Sequence, residues 1–398
     1  MRDTFFVPKD EIYGRIEKAE QALQATTLDG IFITDVVNIL YYTGTVQNGV
    51  LFIPRNGEPV FFVRRSLERA ILESPLQRKV GYVSFKEFTP VLTRHAFALG
   101  RIGMDESALS LSLFKLLQTN MSETVFEDCG LLLKRVRATK SDYEIAKIRK
   151  AGELSCELTA KIPAMLKVGI TEWELGMKLY QEMSEMGRNC FPRLAPGSGE
   201  FFLGNVCFGI NSTYPSSFDG PGGLAGRSPV CPYVGSEQRL ESGDLVYIDL
   251  AHPFEEYCVD KTRLFSLGEP AAEVVEAHQR CLRIQQAIVE RLKPGAILSA
   301  IYDDVMQQYV IQAGFQEHFM GYGANQVKFL GHGIGLAVNE YPAVAKKFDE
   351  PLEANMVLAL EPKKGLPGAG MVGIENTFLT TKSGVENLTE DNDEIVVV

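Results

Sequence analysis

The sequence lacks the features of a disulfide-stabilised, secreted or membrane-spanning protein. Its seven cysteines are an odd number and scattered, with no Cys-x-x-Cys pair, which argues against a disulfide framework or a zinc knuckle. No apolar run approaches the ~20 residues needed to span a bilayer. Residues 1–9 lack the apolar core and the small-residue cleavage site of a signal peptide. These absences predict a protein of the reducing cytoplasm with no membrane partner.

Positive charge is also in short supply. The chain has 40 basic and 51 acidic residues and a net charge of -11, which argues against nucleic acid as a partner. Hydrophobic residues make up 45% and charged residues 23%, as in ordinary folded proteins. A chain of 398 residues is long enough for two domains and a large core.

Hydrophobic periodicity predicts an alternating α/β arrangement in the first third of the chain. Apolar residues recur at helical spacing over residues 12–23, and residues 30–33 read as a strand. Two further strands over residues 50–53 and 60–63 are joined by a segment that contains Asn-Gly, a hairpin signal.

A capping box predicts the start of a second region. Ser141 precedes Glu144 by three residues, and an apolar stripe at helical spacing follows. We therefore predict an α+β protein with an N-terminal α/β domain over residues 1–135 and a larger domain over residues 136–398.

Five residues of the larger domain stand at the ends of apolar runs or inside them: Asp249, Asp260, His332, Glu361 and Glu375. Asp249 closes the run 245–248, where we expect a strand to end, and Glu361 closes the run 356–360. Buried acidic groups are costly unless a positive charge meets them. If these side chains converge, a pair of divalent metal ions would resolve their repulsion and supply hydrolytic chemistry.

The order and context of these residues resemble the pita-bread metallohydrolases, which include methionine aminopeptidase, prolidase, aminopeptidase P and creatinase. The matching segments are Asp249, Asp260-Lys261-Thr262-Arg263, Gly331-His332-Gly333-Ile334-Gly335, Glu361-Pro362 and Glu375-Asn376-Thr377. Residues 29–35 and 38–44 are similar to the creatinase and prolidase N-terminal domain. The resemblance implies a C-terminal pita-bread domain preceded by a creatinase-like α/β domain.

The resemblance also implies roles for the five residues. Asp249 would chelate one metal ion and His332 the other, while Asp260 and Glu375 would bridge the two. Glu361 would complete the second site and accept a proton from the attacking water. Oxygen ligands with one imidazole suit manganese, cobalt, zinc or iron. A homodimer is implied as well.

Three positions depart from the family pattern. Ser216 and Asn339 stand where the peptidases of the family carry histidine, and Gly373 stands where many carry arginine. We place Ser216 and Asn339 in the catalytic site, where they can donate hydrogen bonds but cannot titrate near neutral pH. The loss of such a donor or proton carrier typically costs about 10²–10³ in rate. We further expect Tyr214 and Phe218 to shape the pocket.

Three functions remain open at this point. The first is a metal-dependent Xaa-Pro dipeptidase or aminopeptidase P-like hydrolase that cleaves an amide bond in a short peptide. The second is a hydrolase or lyase of a small metabolite on the same fold, as in creatinase, ectoine hydrolase or the dimethylsulfoniopropionate lyases, and the three departures favour it. The third is a non-catalytic binding protein, which the retention of all five residues disfavours.

Overall fold

The computed structural model describes residues 6–187, 190–195, 202–217 and 220–398. The chain divides into two compact units, residues 1–137 and 138–398. The boundary predicted after residue 135 falls inside the helix Gly130–Ala138. None of the helices in the described parts of the chain is both long and apolar enough to cross a membrane.

A mixed six-stranded sheet forms the centre of the first unit, with strand order β4-β3-β2-β1-β5-β6. The strands are β1 (Gly30–Ile33), β2 (Gly49–Pro54), β3 (Val60–Val63), β4 (Arg78–Gly81), β5 (Arg101–Met104) and β6 (Val125–Asp128). The helices are α1 (Lys9–Gln24), α2 (Val36–Thr43), α3 (Leu67–Glu73), α4 (Phe88–Arg94), α5 (Leu111–Asn120) and α6 (Gly130–Ala138).

The elements predicted for this unit are confirmed. The helical stripe of residues 12–23 is buried along one face of α1, which is why that face packs inward. The hairpin pairs β2 with β3 antiparallel, with Val50 opposite Phe62. The core of this unit is rich in aromatic side chains, and Phe62 stacks on Phe88 at a centroid distance of 4.0 Å.

The second unit combines two larger sheets with flanking helices. Its helices are α7 (Asp142–Met165), α8 (Glu172–Glu185), α9 (Ala272–Val289) and α10 (Leu298–Val305), the last continued by a π-helical turn. Its strands are β7 (Gly204–Phe208), β8 (Leu245–Phe254), β9 (Tyr257–Ser266), β10 (Phe329–Gly333), β11 (Glu340–Ala345), β12 (Val357–Leu360), β13 (Lys363–Leu366), β14 (Gly370–Gly373), β15 (Asn376–Thr381), β16 (Gly384–Asn387) and β17 (Val396–Val397).

The strands are arranged so that the two larger sheets approach each other around β9 and β15. One sheet has the order β17-β9-β8-β7 and the other the order β11-β10-β12-β15-β16, while β13 and β14 form a separate hairpin. An isolated bridge between Thr262 of β9 and Glu375 links the two larger sheets. The side chains that meet there come from β8, β9, β10 and the ends of β12 and β14.

Helix α7 begins where its capping box predicts. Ser141 accepts a hydrogen bond from the backbone of Glu144, and the Glu144 side chain accepts one from the backbone of Ser141. Ile145, Ile148 and Leu158 lie on the buried face of the helix. The capping box and the apolar stripe are therefore both confirmed.

The expectation that a strand ends at Asp249 is wrong. Strand β8 runs on to Phe254 because it pairs residue by residue with β9, with Leu245 opposite Ser266 and Phe254 opposite Tyr257. Asp249 therefore lies in the interior of a buried strand, where its charge must be met by neighbouring side chains.

Candidate metal centre

The hairpin of β8 and β9 carries the two aspartates of the predicted site. Both side chains are buried. Asp249 Oδ2 accepts a hydrogen bond of 2.8 Å from the Tyr247 hydroxyl. The backbone of Asp260 is fixed by Thr377, whose Oγ1 accepts from the Asp260 N–H at 3.0 Å and donates to its carbonyl at 2.9 Å. The hydrogen bonds to Thr377 tie β9 to β15 at the level of the site.

Strand β10 positions His332 so that its Nε2 faces the carboxylates. His332 Nδ1 lies 3.0 Å from the carbonyl of Gly333, and because a carbonyl can only accept, Nδ1 carries the proton. His332 Nε2 lies 3.4 Å from Glu361 Oε1 and 3.8 Å from Glu375 Oε1. This is the tautomer that presents Nε2 as a metal ligand.

The two carboxylate oxygens of Glu375 differ in their hydrogen bonding. Its Oε2 accepts from the Thr262 hydroxyl at 3.1 Å, and Arg263 holds its backbone carbonyl at 3.0 Å. Within the described structure, the buried Oε1 has no hydrogen-bond partner. Because an unpaired buried carboxylate oxygen is costly, this atom marks a place for a cation.

One lysine that sequence reasoning missed lies among the carboxylates. Lys363, the first residue of β13, is fully buried. Its Nζ donates to Asp249 Oδ2 at 2.9 Å, to Glu361 Oε2 at 3.0 Å and to Glu375 Oε2 at 2.8 Å. An ammonium has three N–H donors, so these three contacts use all of them.

The titration behaviour of the cluster follows from burial and crowding. Burial, followed by the charge of Asp249, raises the pKa of Asp260 well above its usual value. Burial and the charge of Asp260 do the same to the pKa of Glu375. Burial alone would lower the pKa of Lys363, but Asp249, Glu361 and Glu375 together raise it well above its usual value. Lys363 is thus an ammonium, and it does not neutralise the whole cluster.

The donor set fits one divalent ion. Ligand atoms of Asp260, His332 and Glu375 all lie within 4.8 Å of one another, a spacing that a single cation can bridge. Glu361 Oε1 faces the same imidazole. Asp249 is not in that group, and its Oδ2 accepts hydrogen bonds from Tyr247 and Lys363. The fit does not extend to a second ion at Asp249.

The five predicted ligands are brought together around one cavity of about 210 Å³. Asn339 also lines this cavity, and its Oδ1 accepts a 2.7 Å hydrogen bond from the backbone of Ala195. Ser216 and Tyr214 line a separate cleft of about 20 Å³ instead. Phe218 lies outside the described residues. The structure therefore gathers the ligands and Asn339, but it does not place Ser216 on the cavity.

Gly373 packs directly against Lys363. The two residues are paired opposite each other in the β13–β14 hairpin, and Gly373 has φ = 139°, a conformation that favours glycine. A Cβ at position 373 would lie 2.6 Å from Lys363 Cα and 2.8 Å from Lys363 Cγ. The departure at position 373 and the lysine at position 363 are thus two parts of one arrangement.

A match to a known family accompanies this geometry. Residues 146–382 match metallopeptidase family M24, and residues 15–139 match the creatinase/prolidase N-terminal domain. The first match alone covers more than half of the chain. The chain belongs to metallopeptidase family M24. Its architecture is a creatinase-type N-terminal domain followed by a pita-bread domain, as predicted from the resemblance.

Individual relatives agree with this assignment. An uncharacterised peptidase of Staphylococcus aureus strain USA300 is 28% identical over 381 residues, covering 94% of this chain and 98% of that protein. The Xaa-Pro dipeptidase of Bacillus anthracis has a TM-score of 0.80 at 24% identity, covering 97% of this chain and 100% of the other. The prolidase of Pyrococcus furiosus has a TM-score of 0.73 at 25% identity, covering 94% and 99%. Together with membership of M24, these neighbours support a peptidase-type hydrolase.

Proposed function

We propose that this M24 protein is a metal-dependent hydrolase that cleaves the amide bond before proline in a short peptide. The observation that carries the proposal is the convergence of Asp260, His332 and the unpaired Oε1 of Glu375 on one cavity. When bound there, a divalent cation supplies an activated water and polarises a carbonyl. Manganese, cobalt, zinc and iron all suit this donor set.

The side chains around that position take up the proton, fix the imidazole and shape the cavity. Lys363 holds Oε2 of Glu361, so Oε1 is the oxygen that faces His332 and is able to take up a proton. His332 is fixed in orientation by its hydrogen bond to Gly333. Asn339 holds the backbone of Ala195, whose neighbour Leu194 forms part of the wall of the cavity.

A hydrolase or lyase of a small metabolite is the second candidate, and the size of the cavity favours it. A volume of about 210 Å³ lies below the ~300–1,000 Å³ of ordinary ligand pockets. Among the described residues that line the cavity, His332 is the only imidazole. The small volume favours a compact substrate over a longer peptide, and the single imidazole agrees with the departures at Ser216 and Asn339 that favour this candidate.

A substrate panel tests the proposal. Protein stripped with a chelator is reloaded separately with each of the four metals and given pairs of dipeptides that differ only in proline or alanine at the second position. We expect hydrolysis of the Xaa-Pro member that disappears with chelation and returns with metal. Turnover of small amides but of no dipeptide would favour the metabolite hydrolase instead.

The proposal also includes the homodimer and the cytoplasmic location that we expect from the sequence. Light scattering on the purified protein measures the mass of the assembly. A mass near the 44.1 kDa of one chain would count against the dimer.

Asn339 and Ser216 are predicted to differ in their effect on catalysis. Asn339→Ala removes the hydrogen bond to Ala195, and the loss of about 1 kcal/mol is expected to raise KM about fivefold. Ser216→Ala is the matched control, since Ser216 lies outside the cavity, and we expect a change of no more than about twofold. Steady-state kinetics on the best dipeptide compare the two. If Ser216→Ala raised KM as much as Asn339→Ala does, the position of Ser216 outside the cavity would be contradicted.

A further inference from the structure

Three carboxylates that belong to the predicted two-metal site are already bound to a cation of the protein's own. Asp249, Glu361 and Glu375 each give one oxygen to Lys363 Nζ, at distances of 2.8–3.0 Å. We propose that the Lys363 ammonium takes the place of one of the two metal ions, so that the chain binds a single divalent ion beside Asp260, His332 and Glu375. This inference rests on the metal-dependent function proposed above and replaces the pair of ions expected from the resemblance.

The division of the oxygen atoms supports this arrangement. Glu361 and Glu375 each give Oε2 to Lys363 and turn Oε1 towards His332. The two glutamates therefore lie between the ammonium on one side and the imidazole on the other. In the two-metal site that the resemblance implies, Glu375 would bridge the ions and Asp249 would bind the ion farther from His332, and both of these carboxylates contact Lys363 Nζ here. The ammonium stands where the ion nearer to Asp249 would be.

Asp249 shows why a second ion is excluded while Lys363 stays in place. Its Oδ2 accepts from both Tyr247 and Lys363, so one of its two oxygens is already engaged. A divalent ion at Asp249 would also lie beside a fully buried ammonium, and like charges at close range in a buried site repel strongly.

Gly373 is independent support from the other strand of the hairpin. Its backbone conformation and its contact with Lys363 Cα and Cγ leave no room for a side chain at position 373. Lys363 on β13 and Gly373 on β14 are paired opposite each other, so a side chain at position 373 would collide with the backbone of β13 and with the start of the lysine side chain.

The charges of the cluster agree with one ion. Four carboxylates bring four negative charges, and Lys363 with one divalent ion brings three positive charges. Two divalent ions together with Lys363 would give an excess of positive charge in a buried site. A single ion with Lys363 leaves one net negative charge in the site.

Metal stoichiometry tests the inference. Chelated protein is titrated with Mn²⁺, freed of unbound metal, and analysed by mass spectrometry for metal per chain and by electron paramagnetic resonance for coupling between ions. We expect about one uncoupled ion per wild-type chain and about two coupled ions in Lys363→Ala, which removes both the charge and the stem. Lys364→Ala is the matched control, because Lys364 lies over Phe315 and outside the cluster, and it should bind as the wild type does.

A second variant distinguishes the effect of the volume that the Lys363 side chain fills from the effect of its charge. Lys363→Met keeps a stem of similar length without the ammonium, so we expect it to stay at about one ion. Wild-type protein with two ions or with none would overturn the inference, and so would Lys363→Ala with only one. If Lys363→Ala does not fold, the wild-type stoichiometry and spectrum still decide.

The outcomes also separate this inference from the proposed function. If the wild-type protein binds two ions and hydrolyses Xaa-Pro dipeptides, the inference about Lys363 is wrong and the proposed function is supported. If the wild-type protein binds one ion and hydrolyses no dipeptide, the inference about Lys363 is supported and the proposed peptidase function is wrong.

Discussion

Replacement of Lys363 by methionine is expected to lower the free energy of unfolding of the metal-free protein by about 3–5 kcal/mol. The ammonium is fully buried and donates to three carboxylates, so its removal leaves Asp249, Glu361 and Glu375 without a cation. Methionine fills a similar volume, so the loss reflects the charge and not a cavity. Urea unfolding in the presence of a chelator measures it.

The loss of unfolding free energy in Lys363→Met should become smaller as the pH falls. The pKa values of Asp260 and Glu375 are raised by burial and by their neighbours. A carboxyl group with a raised pKa in the folded state contributes stability below its unfolded pKa of about 4, and this is lost as pH rises through the folded value. Protonation of these carboxylates at low pH can therefore compensate for the missing ammonium. The difference in free energy of unfolding between wild type and Lys363→Met should decrease from pH 8 to pH 5.

Lys364→Met is the control for this prediction. Lys364 is the next residue on β13, but its ammonium lies 4.5 Å from the centroid of the Phe315 ring instead of among the carboxylates. Its replacement should change stability by about 1 kcal/mol or less. If Lys363→Met were no more destabilising than this control, the cluster would not depend on an ion pair.

The sequence singled out the residues of the cluster because each has a distinctive local setting. Asp249, Asp260 and Glu361 lie within or just after apolar runs, where an acidic residue is costly, and His332 lies between glycines. The structure brings them around one cavity with Glu375. The pattern could not show which of them would contact Lys363, because that depends on how the strands pair.

Lys363 could have been recognised from its spacing. Glu361 and Lys363 are two residues apart in extended chain, so their side chains point to the same face. The resemblance to the metallohydrolases ends at Glu361-Pro362 in this segment and assigns no role to the residue that follows. Gly373 was noted as a departure, but its reason lies in the pairing of β13 with β14, which the sequence does not reveal.

The misplaced strand end at Asp249 has a similar cause. An apolar run that stops at an acidic residue suggests that the strand stops there, since unpaired buried charge is rare. In β8 the charge is paired with Tyr247 and Lys363, so the strand continues to Phe254. The resemblance puts Ser216 at the site in the place of a histidine, whereas in the structure Ser216 lines the smaller cleft together with Tyr214.

Glu361→Gln is expected to lower kcat on the best dipeptide by about 10²–10⁴. The amide has nearly the same shape and its oxygen can still accept from Lys363, so we expect the fold to be kept. What is lost is the ability of the atom at Oε1 to take up a proton in front of His332. Initial rates and circular dichroism measured on the same samples separate activity from folding.

Glu386→Gln is the matched control, because Glu386 pairs with Arg149 in an exposed ion pair that contributes little. It should keep kcat within about twofold. Metal content then decides the role of Glu361. If Glu361→Gln keeps its ion and loses kcat, the side chain acts as the proton acceptor, whereas loss of the ion with the rate would make it a ligand first. If the variant kept kcat within about tenfold of wild type, the proton would have to pass through another group, since general bases typically contribute more than this.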